Sequence, residues 1–259
     1  MVPMLADARR SAITELLRTT GSVTVAELER RFSVSSMTAR RDLHALEQQG
    51  LARRTHGGAV LPSISGHEDS FASRIEVGVE AKQALAGAAA AKVHPGEALF
   101  LDGSSTALFV ARALLDRRIE LTVISNSLPV MEAVATYPGS SVQLVGVGGQ
   151  LRPLSRSFVG PYAVHTVLGH YADRCFLSVK GVTESGAMTD ADALEAEVKR
   201  AMVAHADKPV LLVEHTKLSA RGLSAIGSAT DLAGVLIHGA ASDQVMVLRR
   251  AGVRVEAVV

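Results

Sequence analysis

Five short segments hold the side chains best suited to gripping a small anion. They are Asp102-Gly103-Ser104-Ser105-Thr106, Ser125-Asn126-Ser127, Gly146-Val147-Gly148-Gly149, Lys180-Gly181 and Glu214-His215-Thr216-Lys217. Small hydroxyls and glycine backbone offer donors to a phosphate at close range, and a helix opening directly behind them adds its positive end. The two lysines supply charge, while an acid and an amide would orient hydroxyls around the anion. Each segment alone is ordinary turn chemistry. Their recurrence makes a small-anion site the expected role. The candidate ligands are Asp102, Gly103, Ser104, Ser105, Thr106, Ser125, Asn126, Ser127, Gly148, Gly149, Lys180 and Lys217.

A second group lies in residues 1–60. Ser35, Ser36 and Thr38 precede Arg40 and Arg41, and Arg53, Arg54 and His56 follow. Hydroxyls at a helix start meet a phosphate, an arginine fork reads a base edge, and the later cations clamp the flanking backbone. These eight residues are the candidate DNA contacts, with double-stranded operator DNA as partner. Residues 1–60 contain nine arginines, no lysine and six acids, although the whole chain carries a net charge of only +1. Arginine is the better fork for phosphate and guanine.

A helix-turn-helix must position this second group. Ile13, Leu16 and Leu17 recur at helical spacing, with Gly21 as a stop. Thr24-Val25-Ala26-Glu27 is a capping box that starts a short helix at Val25, burying Leu28 and Phe32. Ser35 caps a third helix that buries Ala39, Leu43 and Leu46 and ends at Gly50. Its other side shows Ser36, Met37, Arg40, Arg41 and His44, which suits entry into the major groove. The residues around Thr55-His56-Gly57-Gly58 predict a hairpin whose glycines take positive φ, a wing behind the recognition helix.

The first group needs an α/β frame. Residues 61–73 hold Pro62, Gly66 and serines without periodicity, which predicts a linker between a domain over 1–60 and another over 74–259. A helix over 81–91 is closed by His94-Pro95-Gly96. Apolar runs at 98–101, 121–124, 142–147, 175–179, 210–213, 235–238 and 253–258 then alternate with helical patterns at 107–115, 128–135, 163–168 and 191–205. That alternation predicts a mainly parallel sheet whose ligands lie at the carboxyl ends of strands, where the five segments fall.

Composition excludes several classes. With 47% hydrophobic and 20% charged residues, the 259-residue chain is globular rather than disordered. No apolar run approaches the roughly 18 residues of a membrane span. Asp7, Arg9 and Arg10 interrupt the place of a secretory h-region. A single cysteine excludes an internal disulfide and a cysteine-based zinc finger, and Cys175 in its apolar run reads as a buried thiol. Aromatics at 3%, without Trp, offer little for stacking single-stranded RNA. Gly146-x-Gly148-Gly149 lacks the third glycine of a dinucleotide fingerprint, so no cofactor is expected. His165 and His170 have no third ligand nearby, so no metal is expected. Asp190 and Asp192 read as a helix cap and first-turn charge. Glu195 and Lys199 fit an i,i+4 surface pair as well as a ligand site. The expected protein is soluble and cytoplasmic.

The run Val34-Ser35-Ser36-Met37-Thr38-Ala39-Arg40-Arg41-Asp42-Leu43, with Leu46-Glu47-Gln48-Gln49-Gly50 and Arg54-Thr55-His56-Gly57-Gly58-Ala59, resembles the DeoR family of bacterial transcription regulators. In the second domain the resemblance rests on Phe71-x-x-Arg74, Lys82, Leu101-Asp102-Gly103-Ser104-Ser105-Thr106, Ser125-Asn126-Ser127, Gly148-Gly149 and His215-Thr216-Lys217. It implies a winged helix-turn-helix joined to a ribose-5-phosphate-isomerase-like sensor of a phosphorylated sugar or related metabolite. It also implies an oligomer, a homodimer or homotetramer, that represses a sugar-catabolic operon until the metabolite binds. Departures from the family pattern stand at Ser104, Glu214 and Ala39, where relatives often carry Gly, Asp and a larger aliphatic residue.

The rival reading is an enzyme, a sugar-phosphate isomerase or deaminase with a DNA-binding appendage. Such chemistry needs an acid and a base over the sugar. Glu195, Glu214 and Lys180 could be cast in those roles, but no tight acidic cluster accompanies the phosphate loop.

Overall fold

The structure is a computed structural model. It describes residues 6–20, 22–48, 51–55, 57–60, 68–218 and 220–258. The chain divides into two compact units, residues 1–64 and 65–259.

In the first unit, α1 (Ala6–Thr20), β1 (Ser22–Thr24), α2 (Val25–Phe32) and α3 (Ser36–Gln48) precede a hairpin of β2 (Arg53–Thr55) and β3 (Gly58–Val60). Thr24 caps α2, its hydroxyl accepting from the Glu27 N–H at 3.2 Å. Ser33 ends that helix in the left-handed region at φ 52°. Ile13, Leu17, Leu28, Ala39, Leu43 and Leu46 form one buried cluster, so the predicted core positions are those that pack. The wing gains a strand that the sequence does not announce: β1 pairs with β3, giving the order β1-β3-β2. The expected positive φ at Gly57 and Gly58 does not occur. Gly58 is required for another reason, because a Cβ there would run into the Val23 carbonyl oxygen across the β1–β3 pair. Gly21, Gly50 and His56 lie outside the described residues.

In the second unit the elements are α4 (Phe71–Glu76), α5 (Val79–Ala91), β4 (Ala98–Leu101), α6 (Ser105–Asp116), β5 (Leu121–Ser125), α7 (Leu128–Thr136), β6 (Val142–Gly146), β7 (Gln150–Arg152), β8 (Ser157–Val159), α8 (Pro161–Leu168), β9 (Ala172–Leu177), β10 (Gly181–Val182), β11 (Ala187–Asp190), α9 (Ala193–Ala204), β12 (Ala206–Glu214), β13 (Ser224–Ser228), β14 (Gly234–His238), α10 (Ser242–Arg250) and β15 (Val255–Val258). Seven strands form one sheet in the order β15-β14-β12-β9-β4-β5-β6. Every pairing in it is parallel, as the α/β alternation predicts. Side chains alternate across it. Phe100, Cys175 and Leu211 enter the core under α8 and α9, while Leu99, Leu101, Phe176 and Leu212 enter the core under α5 and α6. Both faces are therefore covered, which a parallel sheet requires. Cys175 is fully buried, and that burial pushes its thiol well above the usual range.

Four regions differ from expectation. The linker stops short of residue 73, because α4 already begins at Phe71 and buries that ring in the second unit's core. The β7–β8 hairpin and the small antiparallel sheet β10-β11-β13 lie where no strand is predicted. Helix α10 is also unpredicted, although Val245 and Leu248 face inward at helical spacing.

Candidate nucleic-acid interface and anion site

Helix α3 exposes its polar side. Ser35 Oγ accepts from the Thr38 N–H at 3.3 Å and lies 3.0 Å from Thr38 Oγ1, so these two hydroxyls make the cap. Ser36, Met37, Arg40 and Arg41 are exposed behind it, Met37 at 75%, which is uncommon for an apolar side chain. Asp42 turns inward instead. Its buried carboxylate takes Arg9 Nε at 2.5 Å and Nη2 at 3.2 Å, tying α1 to α3. On the wing, the Arg54 N–H donates to Glu47 Oε1 at 3.0 Å, which fixes β2 to the end of α3. The Arg40, Arg41 and Arg54 guanidinium groups have no partner among the described residues. The Arg53 side chain, like His56, lies outside them.

In the second unit the strand order runs outward in both directions from the neighbours β4 and β9. Their connections leave on opposite faces, opening a crevice at the carboxyl ends. Asp102 and Ser178 meet across it, the Ser178 N–H donating to Asp102 Oδ2 at 3.1 Å. Asp102 Oδ1 also accepts from the Ser104 N–H at 3.1 Å and from the Ser104 hydroxyl at 2.5 Å. Ser104 Oγ in turn accepts from the Ala107 N–H at 3.1 Å, so it caps α6 and its hydroxyl is committed to the loop. The Ser105 and Thr106 hydroxyls have no partner among the described residues. They stand on the first turn of α6, where the helix dipole favours an anion.

Cations gather opposite this loop. Lys217 Nζ donates to Ser178 Oγ at 2.9 Å. Lys199 Nζ donates to Asp190 Oδ2 at 2.5 Å and to the Ser178 carbonyl at 2.7 Å, and lies 3.3 Å from Asp102 Oδ2. Burial opposes the charge on Lys199, but Asp190, Asp102 and Glu195 outweigh it and raise its pKa. Burial likewise opposes the charge on Asp190, and Lys199 reverses the balance and holds that carboxyl low. Lys217 has no such company. Burial pushes it down to about 8; Glu214 opposes the shift, and Lys199, Lys82 and Arg74 add to it. Lys82, buried on α5, is lowered by burial, with Glu214 opposing and Arg74 adding. Arg74 Nε and Nη2 are buried with no hydrogen-bond partner among the described residues. Burial thus works against the charge on Lys217 and Lys82 and leaves two Arg74 N–H groups unmet, and an anion would relieve all three.

The other predicted residues divide by role. Asn126 Nδ2 donates to the Phe158 carbonyl at 2.9 Å, while Asn126 Oδ1 and Ser127 Oγ are buried without a partner among the described residues. The Ser125 hydroxyl donates to the Leu101 carbonyl at 2.7 Å and serves the strand pairing. Gly149, at φ +147°, admits no side chain, since a Cβ would lie 2.6 Å from the Val159 carbonyl oxygen. Gly148 and Gly149 lead into the β7–β8 hairpin, which carries Arg152, Ser155 and Ser157. Ser157 packs on the phosphate-type loop, because a Cβ at Gly103 would come within 2.8 Å of Ser157 Cβ. Ser157 Oγ donates to Glu195 Oε1, and Arg152 Nη1 reaches the same oxygen at 3.2 Å. Lys180 lies at the rim, 3.6 Å from Asp69 Oδ2.

Two family descriptions match the chain: the DeoR-like helix-turn-helix domain over residues 9–65 and the DeoR C terminal sensor domain over residues 78–238. The chain belongs to the DeoR family. Similar proteins include the transcriptional repressor AccR of Agrobacterium fabrum, 34% identical over 88% of both chains. The glycerol-3-phosphate regulon repressor of Escherichia coli is 31% identical over 85% of this chain and 86% of its own. Among solved structures, ribose 5-phosphate isomerase A from Methanocaldococcus jannaschii matches with a TM-score of 0.41 and 18% identity over 54% of each chain. This DeoR-family chain is thus a transcription regulator, not an isomerase with an appendage. No helix among the described residues is long and apolar enough to cross a membrane.

Several residues of the site escape a sequence reading. Arg74 and Lys82 stand out only through the family resemblance. Asp190 reads as a helix cap and Lys199 as half of a pair with Glu195, yet the two form a buried ion pair. The available signal was local: Lys199 sits between Val198 and Ala201-Met202 on the face of α9 that enters the core. The cap of α9 is Asp192, read from the sequence as a first-turn charge, its Oδ1 accepting from the Leu194 and Glu195 N–H groups at 2.9 and 3.0 Å, because the helix starts two residues later than expected.

Proposed function

We propose that this chain represses a sugar-catabolic operon and releases its operator when a phosphorylated sugar or related metabolite binds the second unit. The observation that supports this reading is that burial works against the charge on Lys82 and Lys217 and leaves two Arg74 N–H groups without an acceptor, alongside the unpartnered hydroxyls at the start of α6. The phosphate docks on Ser105, Thr106 and the α6 backbone, and Lys217 supplies the charge. Asn126 and Lys180 orient sugar hydroxyls, while Asp102, its oxygens taken by Ser104, Ser178 and Lys199, holds the loop in place. Helix α3 enters the major groove, with Arg40 or Arg41 at a base edge, Ser35, Ser36 and Thr38 at a phosphate, and Arg53, Arg54 and His56 on the flanking backbone. One such unit covers a single half-site, so a cytoplasmic homodimer or homotetramer assembled through residues 74–259 supplies the second. Effector and operator must then weaken each other reciprocally.

The test is a calorimetric screen of sugar phosphates and their unphosphorylated parents, paired with gel shifts on DNA upstream of the chain's own gene. Ser105→Ala and Lys217→Ala should bind operator normally and ignore the metabolite, leaving the gene repressed. Free sugars that bind as tightly as their phosphates would overturn the site.

A further inference from the structure

The first described residues of the second unit are carboxylates seated on the cations of the anion site. Glu68 Oε2 accepts from Arg152 Nη2 at 2.8 Å, and its other oxygen lies 3.4 Å from Arg152 Nη1 and 4.0 Å from Arg74 Nη2. The Glu68 side chain is only 10% exposed. Asp69 pairs with Lys180 across 3.6 Å. Just beyond them the chain is anchored firmly: Ser70 caps α4 by accepting from the Ser73 N–H at 3.2 Å, the Phe71 N–H donates to the Leu154 carbonyl at 2.7 Å, and the Phe71 ring is buried. Before them lies the segment leading back to the DNA-binding unit. Glu68 and Asp69 thus sit on cations of the site, between an apolar anchor and that connection.

The cations they occupy belong to the site. Arg152 reaches Glu195 Oε1 at 3.2 Å, and the other Glu195 oxygen would lie 3.4 Å from a Cβ on Gly103 of the loop. Arg74 acts on Lys217 and Lys82 as a like charge. Arg74 also keeps two buried N–H groups without an acceptor, so Glu68 neutralises it only across 4.0 Å.

We propose that Glu68 and Asp69 are resident competitors of the effector's anionic group, and that the effector takes Arg74 and Arg152 by displacing them. The proposal rests on the effector-site reading above and extends it to two arginines and to the route of regulation. A tethered carboxylate competes at an effective concentration of roughly millimolar, so only an anion of higher charge or better geometry dislodges it. A phosphate dianion meets a guanidinium bidentately and carries more charge than a carboxylate. The exchange frees the residues through which the chain enters the sensor. Anion binding is thereby tied to the connection with the DNA-binding unit, with no relay through the sheet.

The test uses the full-length chain, inorganic phosphate as the probe and Glu68→Gln, Asp69→Asn, the double variant and Glu76→Gln. Glu76 is exposed on α4, so its variant changes net charge equally without touching the site. Phosphate affinity, read from phosphorus resonance broadening and calorimetry, should rise roughly fivefold or more in Glu68→Gln, at the lower end of ordinary coupling, and further in the double variant. Glu76→Gln should stay within about twofold of wild type. Hydrogen exchange gives a second measure: saturating phosphate should speed exchange at residues 69–71 of the wild type, and the double variant should exchange fast without it. Circular dichroism checks each fold, and Asp69→Asn carries the test if Glu68→Gln unfolds. Wild-type phosphate binding that is lost in Lys217→Ala but unchanged in Glu68→Gln and the double variant overturns the displacement and leaves the effector site standing. An equal gain in Glu76→Gln overturns it too. No phosphate binding by any of the proteins removes both readings.

Discussion

Raising the pH from 7 to 9 should weaken anion binding about tenfold through Lys217 alone. Burial sets the Lys217 ammonium at about 8, against the pull of Glu214 and with the help of Lys199, Lys82 and Arg74. If only the charged lysine binds the anion, the apparent dissociation constant grows by one plus the ratio of neutral to charged lysine. That factor is about 1.1 at pH 7, about 2 at pH 8 and about 11 at pH 9. The sign follows from linkage: a bound anion raises the lysine's pKa, so affinity is fully present below the free-state value and fades as pH climbs through it. Sulfate is the cleanest probe because it does not titrate in this range, and a sugar phosphate, with its second pKa near 6, stays almost wholly dianionic. The assay is calorimetric titration in half-unit steps of pH. Lys217→Arg should flatten the profile, since a guanidinium keeps its proton. A flat wild-type profile, or a slope that survives in Lys217→Arg, refutes the assignment to Lys217.

Lys199→Met leaves the Asp190 and Asp102 carboxylates without their buried partner and should cost about 3–5 kcal/mol in urea denaturation at pH 7; a loss under about 1 kcal/mol would show the pair to be solvated. Because Asp190 is held below the usual carboxylate range, its contribution is present above the unfolded value near 4 and fades as pH falls, so the gap between wild type and variant should narrow in acid. Gly58→Ala forces a methyl group into the Val23 carbonyl and should destabilise the first unit by about 1–3 kcal/mol, with faster hydrogen exchange in β1 and β3 and unchanged sulfate binding. Arg54→Ala should lower the salt slope of operator binding by about 1 while weakening all sequences alike; gel shifts over a range of potassium chloride would expose the error if the slope stays put.

Legibility in the sequence followed the range of the interactions. The sheet strands and their helices were readable because a buried strand is a dense apolar run and an amphipathic helix repeats its face within a few residues. The cap at Thr24 was readable for the same reason, since a cap bonds within three residues. The β10–β11–β13 sheet was not, because strands of two to five residues carry too few alternations to register. Half of the proposed anion site was visible as hydroxyls and glycines at strand ends. The other half was hidden, because Asp190 meets Lys199 from a different element and Arg74 joins Lys217 from the far end of the chain. Local spacing places Lys199 on the core-facing side of α9, but which carboxylate meets it there is decided by topology. Ser104 shows the converse. Its hydroxyl type suggested a ligand, but the nearest available donor is the Ala107 N–H, and capping α6 claims it.

The two buried oxygens beside the loop, Asn126 Oδ1 and Ser127 Oγ, have a consequence for selectivity. Each buried polar atom left without a partner costs about 1–3 kcal/mol, and the fold carries that cost before any ligand arrives. A ligand that brings a hydroxyl proton to the amide oxygen removes part of it. A deoxy analogue buries the same oxygen deeper and still leaves it unmet, whereas an analogue with one extra methylene loses only some quality of fit. Rejection is therefore lopsided, on the order of 10⁴-fold for a missing hydroxyl in sites built this way against roughly 10- to 200-fold for an added methylene. On the proposed site, a bulkier sugar would be mistaken for the effector far more readily than a deoxygenated one.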